Sequence, residues 1–71
     1  MALDHLHLLA ALGSLPPHRR AALLLKEWEG YSMAEIGALM GWNGDRVKNE
    51  LYRARRSLVD WQRRQSEGGN R

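Results

Sequence analysis

The side chains with most chemical capacity fall in one short segment: Arg46, Lys48, Asn49, Tyr52, Arg53 and Arg56. Lys48 and Arg53 can donate to guanine edges or to phosphates. Asn49 can pair bidentately with adenine, and Tyr52 offers a ring to a thymine methyl and a hydroxyl to a phosphate. Arg19, Arg20, Arg56, Arg63 and Arg64 suit sequence-independent phosphate contacts, which would make binding fall steeply with salt. Other chemistries find little support. His5 and His7, two residues apart on a helix, point to different faces, and neither they nor His18 has a cysteine to complete a metal site. Asp4, Glu27, Glu29 and Asp60 read as solvated helix charges, because no pocket-forming sequence surrounds them. No catalytic constellation is present, so no enzyme activity, no cofactor and no metal are expected.

The polar segment needs a scaffold, and apolar spacing predicts four helices. In the first, Ala2 to Leu12, Leu3, Leu6 and Ala10 recur at three and four, Leu9 and Leu12 widen the stripe, and Gly13 ends it. Ser14-Leu15-Pro16-Pro17 breaks that pattern, since proline disfavours helix in the residue before it yet suits a first turn. A second helix follows from Pro17 to about Glu29, with Ala21, Leu24, Leu25 and Trp28 on its inner face and Gly30 beyond its end. Ser32-Met33-Ala34-Glu35 matches a capping box and starts a short third helix that closes at Gly41, with Tyr31 and Ile36 placed as a hydrophobic staple. Asn43 can cap a fourth helix from about Gly44 to Gln62, and Asp45 suits its first turn. Val47, Leu51, Ala54 and Leu58 recur there at four, three and four, which leaves Lys48, Asn49, Tyr52, Arg53 and Arg56 opposite and Arg46 on the flank.

Length and charge agree with this plan. The chain has 71 residues, no cysteine and a formal charge of +3, with a pI near 10.0. That length suits one thin-cored domain, 1–64, followed by a flexible polar tail, 65–71. Without cysteine there is no disulfide framework, which fits a reducing, cytoplasmic setting, and no apolar run approaches a membrane span. Lys48, Arg53, Arg55, Arg56, Arg63 and Arg64 crowd the last third, an asymmetry that suits a polyanionic partner, although a merely solvated basic face fits the charge alone equally well.

A short helix, a glycine-containing turn and a longer helix with one apolar and one basic face make a helix-turn-helix, whose second helix enters the major groove. The fold class is therefore all-α, a compact four-helix domain containing that motif. Val47 and Leu51 are expected to anchor the reading helix on Ile36, Leu39 and the second helix. Trp28 and Trp42 are expected in the core or at its edge, while Trp61 is open between core and partner surface. A protein-interaction module with a basic outer face shares this pattern, and a continuous apolar patch joining the first helix to Trp61 would favour it.

The order and spacing of three fragments resemble region 4 of bacterial sigma factors, in particular the extracytoplasmic-function group. They are Leu15-Pro16-Pro17-His18-Arg19-Arg20, Glu35-Ile36-Gly37, and Val47-Lys48-Asn49-Glu50-Leu51-Tyr52-Arg53-Ala54-Arg55, and the likeness runs from about Leu8 to Leu58. The resemblance implies recognition of the minus-35 promoter element, with Lys48, Asn49, Tyr52 and Arg53 on base- and backbone-contacting positions. It also implies partners: double-stranded promoter DNA, the flap of the RNA polymerase β subunit and an anti-sigma factor, in the bacterial cytoplasm at the nucleoid. Promoter melting belongs to a separate upstream domain in that family, so this chain alone is not expected to initiate transcription. Asp45-Arg46 replaces the family's common glycine-threonine, and Glu50 replaces a basic residue. Three consequences stay open for Glu50: weaker DNA binding, rejection of particular bases, or neutralisation by Arg46 or Arg53.

Overall fold

The computed structural model describes residues 5–69, with side chains over residues 8–65. Four helices follow one another: α1 (His5–Gly13), α2 (Pro17–Glu27), α3 (Met33–Met40) and α4 (Gly44–Gly69). No strand occurs among the described residues, so the all-α expectation holds. The 26 residues of α4 span about 39 Å, which accounts for most of the 45 Å long axis of the molecule. The other three helices all lie against it.

Local signals set the helix ends. Pro16 and Pro17 occupy the N-cap and first position of α2, where a missing N–H costs nothing. Ser32 and Glu35 form the expected capping box: Glu35 N–H donates to Ser32 Oγ at 3.0 Å, and Ser32 N–H donates to Glu35 Oε1 at 2.8 Å. The Ser32 backbone N–H, first, and the Ser32 hydroxyl hold the Glu35 carboxyl below the usual carboxylate range. Gly41 caps α3 in the left-handed region at φ 73°, a conformation that other residues adopt only at a cost. At α4, Arg46 N–H donates to Asn43 Oδ1 at 2.8 Å, the cap read from the sequence.

The core is a cluster of Leu12, Leu15, Ala22, Leu23, Ile36, Val47, Leu51 and Ala54, with Leu8, Leu24, Leu25, Met40, Trp42 and Leu58 at its edge. On α4 it follows the expected stripe. On α1 the stripe is displaced: Ala11 and Leu12 are buried, whereas Leu9 and Ala10 face outward; the side chains of Leu3 and Leu6 lie outside the described residues. On α2 the inner face is rotated to Ala22 and Leu23, leaving Trp28 60% exposed rather than in the core. An almost unbroken run from Ala21 to Leu25 makes several faces equally apolar, so docking and not periodicity selects among them. Leu39 is likewise no anchor, being 61% exposed. The last helix also runs past its expected end at Gln62 and through the polar segment from Gln65, continuing to Gly69. Polar composition does not stop a helix when no proline intervenes and glycines stand only at its two ends.

The α3–α4 junction depends on a close approach. Trp42 N–H donates to the Gly37 carbonyl at 2.9 Å, and a Cβ at Gly37 would stand 2.8 Å from the Trp42 carbonyl oxygen and 3.4 Å from Val47 Cγ2. The bare backbone at position 37 therefore lets the turn fold against α3, which sets the angle at which α4 departs.

Candidate nucleic-acid interface

Val47, Leu51 and Ala54 are each at most 1% exposed, so α4 cannot roll about its axis without uncovering them. At 100° per residue this anchor sends Lys48, Asn49, Tyr52, Arg53 and Arg56 outward. All five are exposed, Tyr52 at 63%. Among the described residues, Lys48, Asn49, Tyr52 and Arg53 make no side-chain hydrogen bond or ion pair, leaving their donors and acceptors to an external partner. Arg56 lies 3.7 Å from Asp60, an exposed i,i+4 pair of little energetic weight that a phosphate can displace. These five residues thus share one surface.

Arg46 differs in being held. Its guanidinium carbon lies 4.7 Å from the Trp42 ring centroid, a cation–π geometry. Its Nε donates to Glu50 Oε2 at 3.4 Å, a long hydrogen bond. Glu50 is 8% exposed and lies among three basic groups. Its Oε1 accepts a 2.7 Å hydrogen bond from Arg19 Nε and stands 3.3 Å from His18 Nε2. The Arg19 bond, first, and the neighbouring charges and Arg46 bond hold the Glu50 carboxyl below the usual range, against the opposing effect of burial. The His18 ring in turn meets Trp42 edge-on, at 6.0 Å and 84°.

Two arginines assigned from sequence to phosphate contacts thus have structural duties. Arg19 is engaged by Glu50. Arg20 donates from Nε to the Leu12 carbonyl and from Nη2 to the Leu15 carbonyl, both at 3.1 Å; it caps one carbonyl at the end of α1 and one in the following link, and so ties that helix to α2. Arg63 and Arg64 are exposed on the distal part of α4. Of the two neutralising partners expected for Glu50, Arg46 is present and Arg53 is not; Arg19 takes its place. Spacing along the chain reveals only the local i,i+4 partner. Arg19 is 31 residues away from Glu50, and only the docking of α2 on α4 brings the two together. Among the described residues no group of three metal-ligating side chains occurs, and no helix is long and apolar enough to cross a membrane.

Comparison with known proteins assigns the chain to a family. Residues 5–58 match the family model described as "Sigma-70, region 4", a span that contains the helix-turn-helix, the outward surface of α4 and the Glu50 cluster. The chain is similar to the ECF RNA polymerase sigma factor SigE of Mycolicibacterium smegmatis, with 46% identity over 52 residues, 73% of this chain and 20% of the relative. It therefore spans about one fifth of that relative's length. No solved structure gives a significant match. A family model that covers most of the chain, on a four-helix fold with a helix-turn-helix at its centre, makes this chain a member of the sigma-70 region 4 family, a DNA-binding domain of transcription and not an enzyme.

Proposed function

We propose that the domain reads the minus-35 element of a promoter, with α4 in the major groove. Lys48, Asn49, Tyr52 and Arg53 would contact base edges and nearby backbone, and Arg46 and Arg56 would contact phosphates. The observation that supports this most directly is the set of four outward polar side chains on α4, unpaired among the described residues and held on a helix whose other face is fully buried. A reading helix needs that fixed orientation before its side chains can discriminate bases. The Glu50 carboxylate, enclosed by cations, does not present a bare negative charge to the groove.

A protein partner is the second reading, and a separate surface favours it. Leu9, Leu12, Leu24 and Trp28 line a hollow between α1 and α2, away from the outward residues of α4. It is a place for the RNA polymerase β flap or an anti-sigma factor, and such contacts would recruit polymerase to the bound promoter in the bacterial cytoplasm, at the nucleoid.

Fluorescence-anisotropy titration of the chain against a minus-35-like duplex and a randomised duplex pool, across a salt series, tests the first reading. Salt-sensitive binding with a sequence preference is expected. Absence of binding even at low salt would hand the function to the protein-interaction reading. Within the first reading, Arg53→Ala is expected to weaken specific binding by about 1–3 kcal/mol without changing the thermal melt. Wild-type affinity would remove Arg53 from the interface.

A further inference from the structure

We infer that Glu50 is a positioning residue, which gathers Arg19 of α2 and Arg46 of the first turn of α4 by their Nε atoms into one fixed clamp for a DNA phosphate. The inference rests on the DNA-binding reading above and deepens it, because it assigns a use to a carboxylate in the middle of a basic helix.

Three features of the cluster carry it. First, the carboxylate divides its oxygens between helices: Oε1 accepts from Arg19 Nε at 2.7 Å and Oε2 from Arg46 Nε at 3.4 Å. Each guanidinium has five donors, and these bonds occupy only the Nε–H of each. The Nη donors are the ones that match a phosphate in a bidentate fork. Second, Arg46 is held from two directions, by Glu50 and by the Trp42 ring, yet its side chain remains 53% exposed. A long cation that is already ordered loses less conformational freedom when it captures an anion than one that must first be fixed. Third, two arginines against one carboxylate leave the cluster net positive, so it still attracts a phosphate while the carboxylate aligns the donors.

The two explanations of Glu50 make opposite predictions. If it were only a buried counter-charge or a source of repulsion, removing its charge would leave DNA affinity unchanged or raise it, since the domain gains a unit of positive charge. A positioning role predicts a loss. Anisotropy titrations of the full chain against the minus-35-like and randomised duplexes, in a salt series, read this directly, with each variant's fold checked by circular dichroism. Glu50→Gln is expected to weaken binding to both duplexes by about threefold to tenfold and to lower the salt slope by about one phosphate. Equal or tighter binding with an unchanged slope would overturn the inference. Arg46→Lys, a change at an exposed position that keeps the charge but loses the planar fork, is expected to show a similar loss; wild-type affinity there would overturn it too. Should Glu50→Gln fail to fold, Arg46→Lys decides the matter. A wild-type chain that binds neither duplex refutes the DNA-binding reading and the clamp together, whereas a wild-type chain that binds while both variants match it refutes the clamp alone.

Discussion

Residues 51 and 52 are neighbours in sequence and opposites in environment, which permits a quantitative test of how α4 is docked. Leu51 is 1% exposed and Tyr52 is 63% exposed. Leu51→Ala removes three buried carbon groups, about 2.4 kcal/mol of transfer free energy at about 0.8 kcal/mol each, and leaves a cavity among Ile36, Val47 and Leu23. Cavity cost raises the expected loss to about 3–4 kcal/mol. A domain of this length has about 4–11 kcal/mol of stability in total, so the loss is a large share of it. At about 4–8 °C per kcal/mol for a chain this small, the melting temperature should fall by more than about 12 °C. Tyr52→Ala should move stability by less than about 0.5 kcal/mol while weakening DNA binding. Urea and thermal unfolding followed by circular dichroism measure the first quantity, and anisotropy titration the second. A Leu51→Ala loss under about 1 kcal/mol, or a Tyr52→Ala loss above about 1.5 kcal/mol, would mean that α4 is not seated on the face described, and the assignment of its outward residues would fall with it.

Three further expectations follow from local geometry. Gly37→Val should destabilise the domain by about 1–3 kcal/mol, because its Cβ would meet the Trp42 carbonyl oxygen at 2.8 Å; an unchanged urea midpoint would show that the α3–α4 turn can open at no cost. Ser32→Ala removes the acceptor for Glu35 N–H and should cost about 1 kcal/mol, measurable in the same unfolding curves. In acid, the Glu50 and Glu35 carboxyls both have folded pKa values below their ordinary value of 4.5, so the unfolded chain takes up protons first. Their contribution to stability is complete above that value and is lost as the pH descends through the lower folded values. Glu50→Gln should flatten this acid limb, and a limb of unchanged steepness would show that Glu50 contributes nothing to it.

Much of the molecule was legible in the residues alone, for reasons that are local. Ser32 and Glu35 make a capping box wherever the backbone enters a helix at that point, and Asn43 caps α4 in the same way. Pro16 and Pro17 begin α2 through their fixed φ, and Gly41 takes a positive φ for want of a Cβ. The apolar stripe Val47, Leu51, Ala54 and Leu58 is unambiguous because charged residues separate its members, so the outward positions of Lys48, Asn49, Tyr52 and Arg53 followed from it. Tertiary structure decided what local rules leave degenerate. The continuous apolar runs Leu8 to Leu12 in α1 and Ala21 to Leu25 in α2 offer several adjacent faces, and only docking selected Leu12 and Leu23 for the core and left Leu9 and Trp28 outside. Continuation of α4 to Gly69 was hidden by a polar composition that suits a tail and an exposed helix equally. The fate of Glu50 lay furthest from view. Arg19 approaches it across 31 residues of chain, and a carboxylate's partners in three dimensions are set by how helices pack, which no spacing along the chain encodes.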